Sequence, residues 1–332
     1  MSIKVKLKEI FMILDDDIRL ILQQWQLNNI RPFSHLAMTN NYVVIAYSDE
    51  YQTDVVLKIG KKSIIDREIQ ALQHFQGNAC VTLLKLDASL QDYSVLLLEY
   101  IKPGTSLKNL YLQDKEAETI KIFVDVVKRL HTSPFQMQPG YEQVQTAIQR
   151  MQLLHDFQTN NEQLKKLLPI AARLSDQLLK NQGPLYFLHG DLHHENILQK
   201  GDNMRKPEDV SDEAQLVRHS LKSEEGKAKL EAESEDWVMI DPQGVIAELE
   251  YEVGAFIRNP LFEFLDNSEL EKVIENRFDR LAESLNLNRQ KMIAWTFVQT
   301  VLSACFTEEN NNVRGQQYFI TIAKQIQKIG EI

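Results

Sequence analysis

The residues best suited to chemistry lie in two stretches, Phe187-Leu188-His189-Gly190-Asp191-Leu192-His193-His194-Glu195-Asn196-Ile197-Leu198 and Val238-Met239-Ile240-Asp241-Pro242. An apolar strand runs into His-x-Asp, an Asn follows five residues after that Asp, a second apolar strand comes next, and a further Asp closes a third. That order is a phosphoryl-transfer layout. Moving a γ-phosphoryl group asks for little covalent work, so the protein supplies positioning, charge stabilisation and oxygen ligands for Mg2+. Asp191, at the mouth of a Gly turn, can accept the proton of a substrate hydroxyl. Asn196 offers a neutral metal-ligand oxygen and Asp241 a charged one, while His189 fixes the loop backbone through a hydrogen bond. Each residue alone would pass for a turn or loop residue. The ordered set with its flanking strands points to chemistry.

The amino-terminal third adds an independent sign. Residues 42–47 and 54–59 read as strands rich in β-branched and aromatic side chains, joined by a polar turn. Lys58 sits within the second strand, and Glu68 follows ten residues later in a helical run over 63–75. A strand lysine paired with a helix glutamate grips the α- and β-phosphates in kinases. Neither G-x-G-x-x-G nor G-x-x-x-x-G-K-[ST] lies between the two strands, and Gly60-Lys61-Lys62-Ser63 has the wrong register, so P-loop and Rossmann readings fall away.

With Ile240-Asp241-Pro242-Gln243-Gly244, Glu250-Tyr251-Glu252-Val253 and Ile257-Arg258-Asn259-Pro260, the His-x-Asp loop resembles the aminoglycoside phosphotransferase-like kinases. The nearest branch is the aminoglycoside/hydroxyurea resistance kinases, which include streptomycin kinases. The likeness runs from about Trp25 to the C-terminal helices. It implies an α+β, two-lobed protein-kinase-like fold: a small antiparallel-sheet lobe, 1–101, that binds nucleotide, and a larger, mainly helical catalytic and substrate lobe, 102–332. It further implies ATP or GTP as donor, Mg2+ as metal and a hydroxyl acceptor of aminoglycoside type. By the same resemblance the strand that breaks at Pro103-Gly104 is the hinge, with the backbone of Glu99 and Ile101 reading the adenine, and the turn 48–53 covers the phosphates. One departure stands out: the family usually carries Tyr-Asp where this chain has Tyr251-Glu252.

A polycationic acceptor calls for carboxylates near Asp191, and Glu248, Glu250, Glu252 and Glu263 are the candidates after the metal Asp. Arg258 is expected to pair internally with one of these acids or to cap a turn. Three other readings stay open. A sugar or an amino alcohol is the alternative acceptor. A pseudokinase would keep the fold without turnover. A metal-dependent hydrolase would use His189, Asp191, His193 and His194 as a ligand cluster.

Composition sets the frame. With 332 residues, 43% of them apolar, the chain can bury two lobes' worth of core. It has no run of eighteen apolar residues and no signal-peptide core over 1–8, and its two cysteines, Cys80 and Cys305, are far apart in apolar surroundings. A cytoplasmic protein without disulfides is expected. The net charge of −10 disfavours nucleic acid as a partner.

Half of that charge lies between Asp202 and Asp236, where eleven acidic residues face six basic ones. Such a stretch reads as a long insertion, disordered or a solvated helix over 212–232, that separates Asp191 from Asp241. Apolar spacings of three and four predict helices over 117–131, 141–157, 162–181, 270–285, 289–307 and 312–329.

Overall fold

The computed structural model describes residues 15–32, 41–75, 77–132, 135, 145–201, 236–265 and 268–332. The expected insertion thus falls outside the described residues over 202–235. The chain leaves at Gly201 and returns at Asp236, where Lys200 N donates to Asp236 O at 2.5 Å and Gly201 N to Lys102 O at 2.6 Å.

Helix α1 (Asp15–Gln24) precedes a five-stranded antiparallel sheet. Its strands are β1 (Leu27–Pro32), β2 (Tyr42–Ser48), β3 (Thr53–Lys61), β4 (Leu83–Asp87) and β5 (Tyr93–Glu99), in spatial order β1-β2-β3-β5-β4, with α2 (Lys62–Phe75) between β3 and β4. Because strand side chains alternate between faces, Val55, Leu57 and Ile59 of β3 pack with Ile18, Ile21 and Trp25 on the α1 side. Val56 and Lys58 take the other face, toward α2. On α2 the buried positions are Ile65, Glu68, Ile69, Ala71, Leu72 and Phe75, so helical spacing puts Glu68 on the inward stripe.

The segment after β5 forms β6 (Pro103–Ser106), α3 (Lys108–Tyr111) and α4 (Glu116–Leu130). The chain continues through β7 (Gln145–Thr146), α5 (Ala147–Asp156), α6 (Glu162–Lys180), β8 (Leu185–Leu188), β9 (Ile197–Lys200), β10 (Trp237–Met239) and β11 (Val245–Glu248). A 3-10 turn and α7 (Val253–Ile257) lead to the terminal helices α8 (Leu270–Leu285), α9 (Arg289–Glu309) and α10 (Val313–Gly330). The predicted helix over 141–157 is shorter: Gln145–Thr146 is extended and pairs in parallel with Val245 and Ile246. Strand β4 begins only at Leu83, because Ala79–Val81 hydrogen-bonds across to Met239. One continuous apolar core runs from α2 and β5 through α4, α6 and α9, joining the small sheet lobe to the larger, mainly helical one.

Four strands position the chemistry. β8 pairs with β11, Leu188 opposite Val245, and β9 pairs with β10, Ile197 opposite Met239. The β9–β10 hairpin is thus nested between the strands of the β8–β11 pair, and its two junctions, 189–196 and 240–244, lie side by side. This nesting brings Asp191 and Asp241 together across fifty positions of sequence.

Candidate active site

Lys58 is 7% exposed at its side chain and lies between two carboxylates. Its Nζ is 2.6 Å from Glu68 Oε2 and also pairs with Asp241 Oδ1. Burial works against both partners of the inner pair. It pushes Glu68 up to about 7 against the pull of Lys58. For Lys58 the loss of solvent is outweighed by the charges of Glu68 and Asp241, which raise it, so it stays an ammonium. Desolvation opposes ionisation of Asp241 too, yet Lys58 holds that carboxyl below its usual value. Asp241 sits in the left-handed region at φ 59°, a conformation that costs a non-glycine residue free energy and recurs at functional sites.

The loop from 189 to 196 is fixed by hydrogen bonds from several sides. His189 accepts at Nδ1 from Asp191 N (3.2 Å), so its Nε2 donates to Ile240 O at 2.9 Å. The imidazole is thereby a strut between the two junctions. Gly190 has φ 82°, and a Cβ there would lie 2.5 Å from Val245 Cγ2, so only glycine fits. Glu252, fully buried, accepts from the backbone N–H groups of His189 and Gly190 at 2.9 Å each and meets His131 Nε2 at 3.2 Å. Burial would raise this carboxyl, but the hydrogen bond and charge of His131, with His189 and Gly190, bring it below its usual value.

Asp191 itself is 29% exposed at its side chain. Its Oδ2 accepts from Gln243 Nε2 at 3.0 Å, and Gln243 Oε1 is held by Arg150 Nη2 at 2.6 Å. Its Oδ1 faces Arg258 Nη2 at 3.6 Å, beyond hydrogen-bond range. Arg258 is buried and donates through Nη1 to Gln299 Oε1 at 2.8 Å. His193 lies 4.0 Å from Asp191, and burial lowers its imidazole despite the neighbouring acids, so it is neutral. Asn196 donates Nδ2 to Asp191 O at 3.0 Å, which leaves Oδ1 as the atom that could hold a metal. A cavity of about 210 Å³ opens on Asp191, walled by the Arg258–Leu261 turn and by α9 and α10.

A family model for aminoglycoside/hydroxyurea antibiotic resistance kinases matches residues 30–311. The chain belongs to that family. It is 22% identical over 261 residues to the streptomycin 6-kinase of Streptomyces griseus, covering 77% of this chain and 71% of that one. It is 23% identical over 215 residues to the streptomycin 3''-kinase of Klebsiella pneumoniae, covering 64% and 65%. Among solved structures, a choline kinase from Streptococcus pneumoniae superposes with a TM-score of 0.63 at 12% identity, over 94% of this chain and 98% of that one. An amicoumacin kinase in complex with AMP-PNP, Ca2+ and Ami gives 0.61 at 12% identity, over 98% and 96%. The fold is therefore the two-lobed protein-kinase-like one, and the chain is a phosphotransferase acting on a hydroxyl group.

The structure of this resistance-family kinase brings Lys58, Glu68, Asp191, His189, Asn196 and Asp241 to one cleft. It takes the four candidate acceptor glutamates elsewhere. Glu248, 1% exposed, accepts from Trp295 Nε1 (2.7 Å), Lys291 Nζ (2.6 Å) and Gly183 N (2.9 Å). It lies at the far end of the β8–β11 pair, opposite Leu185. Glu252 anchors the catalytic loop from beneath. Glu263 pairs with Lys108 at 2.8 Å and does not line the cavity. Glu250 accepts from Asn288 N at 3.3 Å. Arg258 pairs with none of these glutamates; it faces Asp191.

At the segment expected to be the hinge, Glu99 gives its N–H to Thr82 O at 3.0 Å, and its carboxylate binds Lys200 (2.6 Å) and Thr82 Oγ1 (2.9 Å), tying β5 to β9. Ile101 is buried at the same crossing. The hydrolase cluster does not form: no group of three metal-ligating side chains assembles among the described residues. His194 is instead a buried core histidine stacked 4.3 Å from Phe256, its pKa well lowered by burial. No described helix is long and apolar enough to cross a membrane.

Sequence reasoning did not single out Gln243, His131, Lys200 or the helical cavity wall for a role. Gln243 stands inside the Asp-Pro-x-Gly element; the others carry no local signal.

Proposed function

We propose that the chain transfers the γ-phosphoryl group of ATP or GTP to a hydroxyl of a small molecule, with Asp191 as general base. One observation carries this reading: the Lys58–Glu68–Asp241 ion-pair chain and the carboxylate of Asp191 flank the same cleft, and Asp191 opens onto a cavity. Lys58, kept charged by its two partners, is the group for the α- and β-phosphates. Glu99 and Ile101 offer backbone to the base of the nucleotide, and the turn 48–53 covers the phosphates. The division into a nucleotide lobe, 1–101, and a catalytic lobe, 102–332, follows from these roles.

A carboxylate and an amide oxygen make a hard donor pair suited to Mg2+. Asp241, about half exposed, and Asn196 Oδ1 would hold the metal, which neutralises phosphate charge when bound. The other work falls to side chains. Gln243 holds Oδ2 of Asp191 and fixes the carboxylate plane. Oδ1 is left to take the hydroxyl proton as the oxygen attacks phosphorus. The β-phosphate oxygen then leaves with its bonding pair and the nucleoside diphosphate forms.

For the acceptor, the curated relatives are streptomycin kinases, which makes an aminoglycoside the first compound to test. A sugar or an amino alcohol remains the second reading, since the fold is shared with a choline kinase. The test is Mg2+-dependent release of ADP or GDP against a panel of aminoglycosides, sugars and amino alcohols. Turnover with any member supports the reading. Nucleotide binding with silence throughout the panel turns it toward a pseudokinase.

A further inference from the structure

The chemistry of the cavity wall narrows the acceptor further, given the kinase reading above. Of the described side chains that line it, one is an acid, Asp191, one a strong base, Arg258, and His193 is held neutral by burial. Asp191 and Arg258 stand 3.6 Å apart with opposite charge, so together they add no net charge to the wall that would select a cation. The remaining wall is uncharged: His193, Asn259 and Leu261 on one side, and on the other one face of α9, at Ser303, Phe306 and Thr307, with Phe319 of α10.

Both hydroxyls have already donated their hydrogens along the helix. Ser303 Oγ gives to Gln299 O at 2.9 Å, and Thr307 Oγ1 to Ser303 O and Ala304 O at 3.0 and 2.9 Å. What they turn to a ligand is lone pairs, so they accept hydrogen bonds and donate none. Phe306 is 44% exposed on a helix whose other large apolar residues are buried; with half-buried Phe319 it adds apolar ring surface. At about 210 Å³ the cavity is below the ~300–1,000 Å³ of drug-sized sites and suits a single ring.

We propose that this cavity holds the acceptor by one uncharged hydroxylated ring, its apolar face against Phe306 and Phe319 and its hydroxyls donating to Ser303 and Thr307. Added positive charge on the ring then brings no affinity, because attraction to Asp191 is offset by Arg258. Ring shape and hydroxyl placement set the specificity.

A cyclitol series with one ring and rising charge tests this: scyllo-inositol, its monoamino analogue and the diguanidino analogue streptidine, each assayed for Mg2+·ATP-dependent phosphorylation. The expected result is an acceptor KM constant or rising along the series. Phe306→Ala should raise KM about tenfold for the neutral member, as loss of an aromatic contact does, and Thr307→Val should raise KM more than it lowers kcat. A KM that falls about tenfold with each added charge overturns the proposal, as does a Phe306→Ala variant with unchanged KM. If no cyclitol is phosphorylated while the protein still binds Mg2+·ATP and hydrolyses it slowly in an Asp191-dependent manner, the ring proposal fails and the kinase reading stands. If Mg2+·ATP is not bound at all, both fall.

Discussion

On the nucleotide side of the cleft a buried ammonium is gripped by two carboxylates at salt-bridge distance, whereas on the acceptor side the carboxylate of Asp191 meets its nearest cation only at 3.6 Å. The first half is pre-paired. Its one ammonium and two carboxylates are already engaged with one another before any phosphate arrives, so in the proposed reaction Asp241 exchanges Lys58 for metal and nucleotide together. The second half is sparsely charged, and among the described residues Oδ1 of Asp191 has no close hydrogen bond. The difference separates tasks: binding a polyanion needs stored charge held in place, while abstracting a proton needs a carboxylate oriented but not quenched.

The comparison breaks most completely at Asp241. Asp241→Ala is expected to abolish Mg2+-dependent nucleotide binding, read as loss of the thermal shift given by nucleotide with Mg2+. Wild-type protein should show little shift with Mg2+ alone, because Lys58 occupies the carboxylate.

Next in size is Glu252→Ala, which orphans two buried N–H groups and the partner of His131. A loss of about 3–5 kcal/mol is expected, as for a broken buried pair, measured by urea denaturation. The folded-state carboxyl of Glu252 lies below its ordinary 4.5. Its ionic contribution is therefore complete above pH 4.5 and is lost as pH falls through the lower folded value. The stability gap between wild type and Glu252→Gln should accordingly shrink as pH falls below the ordinary 4.5. A gap that widens there would contradict the assignment.

A smaller effect is expected from Gln243→Leu, which frees Asp191 Oδ2 without removing the base. Turnover should fall by about tenfold, less than the loss typical of removing a general base, with nucleotide affinity held. Smallest is Lys200→Met. It removes the ion pair from Glu99, 31% exposed on the lysine side and 8% on the glutamate side, and should lower stability by about 1–2 kcal/mol, since Thr82 Oγ1 still hydrogen-bonds the carboxylate.

The same asymmetry explains what the sequence could disclose. Lys58 and Glu68 were legible because a strand period of two and a helical stripe each place a charged residue where an apolar one belongs. The loop from His189 to Asn196 was legible because its order along the chain is its order in the cleft. Glu252 was misread as an acceptor ligand because its partners are backbone amides 62 and 63 positions away, and pairing with backbone leaves no mark on side-chain types. The acceptor wall was silent for another reason. α9 is buried around most of its circumference, so Ser303, Phe306 and Thr307 interrupt no amphipathic pattern. Residues 145–146 escaped because two residues carry no period, and their strand pairing depends on a distant β11.

The central claim is that Asp191 acts on the acceptor proton while a separate set of residues holds the nucleotide. The most direct test measures both in Asp191→Ala: turnover by ADP or GDP release, and nucleotide affinity by titration in Mg2+. Turnover lower by about a hundredfold or more with affinity within about twofold is the predicted result. Unchanged turnover, or a loss of nucleotide affinity equal to the loss of turnover, would contradict it.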